Sequence, residues 1–91
     1  MATRFEGTAQ GRAFCAAQLR FPHAEFAIRR LMRFSEAFRD MCEELADADA
    51  ALTDASSKAG TLRDARRLEW QELIDRLVAE IAATLRDNGP P

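Results

Sequence analysis

Phe38-Arg-Asp-Met-Cys-Glu-Glu-Leu-Ala-Asp-Ala-Asp-Ala-Ala-Leu52 and Trp70-Gln-Glu-Leu-Ile-Asp-Arg-Leu-Val-Ala-Glu-Ile-Ala-Ala-Thr-Leu85 flank a polar break at Ser56-Ser57-Lys58-Ala59-Gly60. In the first segment the apolar positions are Phe38, Met41, Cys42, Leu45, Ala48, Leu52 and Ala55, with Asp40, Glu43, Glu44, Asp47 and Asp54 behind them. That 3-4 alternation is the stripe of a helix buried on one side. In the second, Trp70, Leu73, Ile74, Leu77, Val78, Ile81 and Leu85 share an arc of roughly 140°. The two stripes predict an antiparallel helical hairpin over about 35–56 and 62–87, and the fold class is all-α.

The punctuation agrees with that reading. Thr61 caps the second helix with Asp64 three residues on, a capping box in which Asp stands for Glu, and Asn88-Gly89-Pro90-Pro91 ends it. Upstream, Pro22 suits a first helical turn, and the segment through Phe34 carries Ala24, Ala27, Ile28, Leu31 and Met32 on one side. A short helix over about 23–34 follows. Its stripe is out of phase with the one through Phe38 and Leu45, which calls for a bend at Ser35, with Ser35 as N-cap and Glu36 in the first turn.

Residues 1–21 hold Gly7, Gly11 and scattered Thr, Gln and Ala without a sustained period, and read as a flexible Arg-containing arm with a weak helical tendency around Ala13–Leu19. The expected organisation is this arm, a single helical domain over 22–88, and a tail at 89–91. At 91 residues the chain is one small domain with a thin core. Six Phe and one Trp, with few β-branched residues, favour helices over a sheet.

With a turn centred near Ser57–Gly60, Leu45 faces Leu73, Cys42 faces Leu77 and Phe38 faces Ile81. Asp49 is the exception, a carboxylate inside the apolar stripe that would lose solvation there. Arg66 falls on the matching face of the second helix. The pair Asp49–Arg66 is therefore the candidate for register or oligomer specificity, with the Trp70 indole or water as other partners for Asp49. A hairpin alone leaves a flank of each seam in water. A C2 dimer forming a four-helix bundle closes it, and so does an internal lid in which Phe26, Ile28, Leu31 and Phe34 lie over the hairpin. The expected interface or core set is Phe38, Met41, Cys42, Leu45, Leu52, Trp70, Leu73, Ile74, Leu77, Ile81 and Leu85.

Charge is uneven. Residues 1–34 hold six Arg against two Glu, whereas the rest holds seven bases against thirteen acids. Arg29, Arg30 and Arg33, between Phe26 and Phe34, are the candidate contacts for an anionic partner, but the acidic body opposes approach to nucleic acid or an anionic membrane. Pairing of these Arg with the hairpin's own acids is the competing reading. Neither is the favoured partner; the chain itself, as a homodimer, or another protein is.

Catalytic classes lack their parts. The only histidine, His23, lies outside the hairpin, so the Glu-x-x-His step of a di-iron bundle is missing. Cys42 sits on the seam and Cys15 in the arm, with no metal or redox spacing and no base beside either. The four Gly form no phosphate loop. No cofactor and no enzymatic activity are expected. Reduced thiols and the lack of a long apolar run point to a cytoplasmic protein.

The stretch from Ile28-Arg-Arg-Leu-Met-Arg-Phe-Ser-Glu-Ala-Phe-Arg-Asp-Met-Cys-Glu-Glu-Leu45, with Arg67-Leu-Glu-Trp-Gln-Glu-Leu-Ile-Asp-Arg-Leu-Val-Ala-Glu-Ile81 after the loop, resembles short uncharacterised bacterial, mainly proteobacterial, helical-hairpin proteins. The resemblance covers about residues 24–85. It implies a hairpin in a bacterial cytoplasm and carries no functional residue with it. The expected function is that of a non-enzymatic, oligomer-forming helical interaction protein, the alternative being a regulatory module that engages nucleic acid or an anionic surface through its basic N-terminal segment.

Overall fold

A computed structural model of the chain describes residues 8–57 and 61–88, the side chains of Thr61 and Leu62 excepted. Every described element is helical: α1 spans Ala9–Arg20, a 3-10 turn spans Pro22–Ala24, and α2, α3 and α4 span Glu25–Phe34, Glu36–Ser56 and Thr61–Asp87. The break at 58–60, the Thr61 cap and the tail at 89–91 lie outside the described residues.

α3 is the hub. It packs extensively against α4 on one side and against α1 on another, while α2 lies against α3 and α1. The expected hairpin is thus present as α3 and α4. Phe38, Cys42, Leu45 and Ala48 of α3 join Ile74, Leu77, Ile81 and Leu85 of α4 in one buried cluster. The radius of gyration is 14.3 Å. A compact chain of this length would have about 12 Å, so the molecule is elongated.

The expectation of a flexible arm fails over its described part. Residues 9–20 are α1, and Ala13, Phe14, Ala16 and Ala17 are core residues. Thr8 caps the helix, its hydroxyl accepting from the Gly11 N–H at 2.9 Å. The C-terminal end closes where the Phe21 N–H donates to the Ala17 carbonyl at 3.0 Å, just before Pro22, which has no N–H to give. Small residues explain both the fold and the misreading. Ala13, Ala16 and Ala17 with buried Gly11 let the α1 backbone come close to α3, but they give almost no apolar contrast along the sequence.

Ser35 makes the corner between α2 and α3 on its own. Its backbone is extended (φ −125°, ψ 108°), and its hydroxyl accepts from the Phe38 N–H. Its N–H donates to the Leu31 carbonyl and its carbonyl accepts from the Arg39 N–H, so one residue both ends α2 and starts α3. The Arg39 guanidinium donates across the corner to the Met32 carbonyl at 2.8 Å. The bend expected from the phase mismatch is therefore held by three backbone partners and one side-chain staple. It turns Ile28, Leu31 and Met32 of α2 into the core and leaves Phe26 and Phe34 outside it.

Candidate functional site

The seam residues divide into centre and edge. Phe38, Cys42, Leu45, Ile74, Leu77, Ile81 and Leu85 are buried, whereas Met41, Leu52, Trp70 and Leu73 are only partly covered, as is Val78. On α4 the reason is that α3 is its one extensive neighbour among the described elements. α3 encloses a narrow stripe, and at 100° per residue Leu73 and Val78 fall on opposite flanks of that stripe.

Toward the start of α4 the seam stops at Trp70. Continuing the stripe backward by steps of three and four residues reaches Arg67 and Arg63, two charged side chains that remain exposed, as do all residues from 63 to 69. Leu68 is 60% exposed among them. These turns of α4 keep helical form while offering α3 nothing to bury.

Asp49 does need a partner, and the partner is not the expected one. The Arg20 guanidinium, in the last turn of α1, donates from Nη1 to Asp49 Oδ2 and from Nη2 to Oδ1, both at 2.8 Å. Arg66 is exposed. The expected Asp49–Arg66 pair is therefore replaced by Arg20–Asp49. The physical reason follows from α1: Asp49 lies on the side of α3 that α1 covers, and a two-helix hairpin considered alone has no candidate there except α4. Both side chains keep about a third of their surface (30% and 31%), so the pair is a clamp at the rim of the core.

The basic cluster on α2 is more tied down than its sequence suggests. Arg29 pairs with Glu25 one turn back at 3.0 Å and lies over the Phe14 ring, 4.5 Å from its centroid. Arg30 donates to the Asn88 carbonyl at the end of α4 at 2.8 Å, which serves an orphan carbonyl of that helix. Arg33 rests 5.6 Å from the Phe34 centroid and has no carboxylate partner among the described residues. Of the pairing with hairpin acids weighed from the sequence, Arg29, Arg30 and Arg33 make none among the described residues, the one carboxylate they engage, Glu25, belonging to α2 itself; the basic N-terminal segment makes it through Arg20 and Asp49.

The two thiols differ in kind. Cys15 is exposed and Cys42 is buried. Burial, and then the Glu43 carboxylate beside it, pushes the Cys42 thiol up to about 12, so at neutral pH it is a protonated apolar side chain. Among the described residues no group of three His, Cys, Asp or Glu stands where it would hold a metal ion. No described helix is long and apolar enough to cross a membrane.

Sequence reasoning missed Phe14 and the alanines of α1, Arg20 as the Asp49 partner, and Arg39 as the corner staple. A signal was present for the first. Thr8 stands three residues before Gly11 in cap position, and Ala13, Ala16, Ala17 and Arg20 repeat at helical spacing. Comparison with protein-family models, with curated proteins and with solved structures finds no match to this chain.

Proposed function

We propose that this chain acts by helix-to-helix contact, as a self-associating interaction protein that uses α4 as its contact helix and works without catalysis. The observation that carries the reading is the one-sided packing of α4. A helix of 27 residues is packed extensively against α3, Val78 is partly covered on one flank of its buried stripe, and Leu68 projects into solvent on that same side. A second copy laid against the Val78 side, α4 to α4 about a two-fold axis, makes a four-helix bundle from two α3–α4 hairpins. α1 and α2 already occupy the other side of α3, so the contact falls to α4.

Sedimentation equilibrium of the full chain across a micromolar concentration series tests it. The weight-average mass is expected to climb from monomer toward dimer, and Leu68→Lys, a change at an exposed position, is expected to hold it at the monomer. A monomer throughout the series, or a dimer indifferent to that substitution and to Val78→Lys alike, refutes the use of α4.

A further inference from the structure

We propose that the groove between α1 and α2 is a binding site for a small amphipathic anion, an acyl or aryl chain ending in a phosphate or carboxylate. The groove has a volume of about 670 Å3. That lies inside the range of roughly 300–1,000 Å3 typical of small-molecule sites. Its charged lining is Arg29, Arg30, Arg33 and Arg39, and among the described residues no carboxylate lines it. Its apolar lining includes Phe14, Phe26 and Phe34. Both halves of an amphiphile are thus provided for in one concavity.

The state of each group says where the two halves go. Phe26 is 78% exposed and Phe34 77%, an apolar exposure that a ligand chain laid between them removes from water. Ile28 and Leu31 face the opposite way into the core, while buried Met32 borders core and groove alike, so the groove runs along the outward face of α2 beside its buried stripe. Three of the guanidiniums are already anchored: Arg29 by Glu25, Arg30 by the Asn88 carbonyl, Arg39 by the Met32 carbonyl. Each anchor holds the planar fork in place and uses part of its five N–H donors, leaving others for an oxyanion. Arg33 touches only the Phe34 ring among the described residues and is the group free to close on the anion.

Size separates a small anion from a membrane or a polynucleotide. Residues 35–91 carry seven bases against thirteen acids, and an extended anionic surface meets that field as well as the groove. A single phosphate or carboxylate seated among four guanidiniums is screened from the distant acids over about 8–10 Å at physiological salt.

The test uses the full chain and n-octyl phosphate below its micellar concentration, followed by calorimetry and by backbone amide shifts. Saturable binding with shifts at Arg33 and Phe34 is expected, with inorganic phosphate alone and n-octanol alone each at least about tenfold weaker. Arg33→Gln and Phe34→Ala, both at exposed positions, are each expected to weaken binding about tenfold with unchanged circular dichroism. Leu68→Lys is expected to leave it unchanged, which keeps this site distinct from the α4 contact. Absence of saturable binding overturns the proposal, and so does binding that neither substitution weakens. Binding confined to phosphatidylglycerol vesicles or to oligothymidylate, with none to octyl phosphate, also overturns it by making the groove part of a macromolecular surface.

Discussion

A double-mutant cycle on Arg20 and Asp49 isolates the contact that ties α1 to the hairpin. The perturbation is Arg20→Ala, Asp49→Ala and both together, with thermodynamic stability read from urea unfolding by far-UV circular dichroism and Trp70 fluorescence. Two N–H···O bonds of 2.8 Å join the pair. Unit charges about 4 Å apart attract by about 1 kcal/mol in water and about 4 kcal/mol at an effective dielectric constant of 20. With each side chain about a third exposed, solvent screening pulls the value to the lower end. Fully exposed pairs measure roughly 0.2–1 kcal/mol, and the bidentate geometry adds to that, so a coupling of about 1–1.5 kcal/mol is expected. The companion cycle, Arg66→Ala with Asp49→Ala, is expected to be additive within roughly 0.5 kcal/mol. A coupling under about 0.5 kcal/mol for Arg20, or a larger one for Arg66, would refute the placement of α1 over this part of α3. The two probes add a check, because circular dichroism averages all the helices while Trp70 reports α4. Coincident curves mean that α1 and the hairpin unfold as one unit.

Removing residues 1–21 is expected to cost several kcal/mol and to broaden the urea transition, because it strips Ala13, Phe14, Ala16 and Ala17 from the core; a truncated chain as stable as the full one would contradict that. Phe14→Ala alone should cost about 3 kcal/mol by the same measurement. Ser35→Ala removes the hydroxyl that accepts from the Phe38 N–H, and an expected loss of about 1 kcal/mol is rescued by Asp or Thr at that position, which a merely steric role would not allow. Cys15 should react with iodoacetamide at once under native conditions, and Cys42 only as fast as the chain opens. For Cys42 the folded thiol titrates near 12, above its usual 9.0, so its contribution is complete below pH 9. From there the unfolded chain sheds the proton first, and stability falls by up to about 1.4 kcal/mol per pH unit until the folded thiol ionises. Cys42→Ala should remove that part of the alkaline loss, and an identical alkaline profile in the variant would be the contrary result.

What was legible in the sequence tracks side-chain contrast. α3 and α4 carry Phe, Leu, Ile and Met against Asp and Glu at helical spacing, so their existence, their ends and their buried centres could be read directly. The corner at Ser35 was legible for a second reason, since two stripes out of phase cannot belong to one straight helix. α1 was legible only as a weak helical tendency around Ala13–Leu19, because alanine is apolar in burial yet weakly so in pattern; the spacing of Ala13, Ala16 and Ala17 is helical but does not say whether they face water or α3. That one omission propagated. Without α1 the cation considered for Asp49 was Arg66, and cover for the hairpin was sought in a second copy or in Phe26, Ile28, Leu31 and Phe34, of which Ile28 and Leu31 are buried and Phe26 and Phe34 face solvent. Asp49 stood out because a carboxylate in an apolar stripe loses solvation whatever the rest of the fold; in the fold it lies at the rim, 31% exposed and paired with Arg20.

The alanine helix also changes what a partner copy would have to supply. A bare α3–α4 hairpin exposes flanks on both helices, and self-association would then be a condition of folding, as in obligate dimers whose monomers are unstable. With α1 and α2 packed on α3, the core cluster draws on all four helices within one chain, and α4 is the hairpin helix with the less covered sides. The α4 side chains with surface left to lose at its seam, Trp70, Leu73 and Val78, are already partly covered, so association would remove at most the remainder of their surface from water. At about 25 cal/mol per Å2 that remainder amounts to a few kcal/mol, against an association cost of about 4–15 kcal/mol. The proposed dimer would need further contacts along the exposed turns around Leu68 and would be reversible rather than obligate. Unfolding free energy should therefore be nearly independent of protein concentration even where the mass is not, a combination that an obligate dimer cannot give.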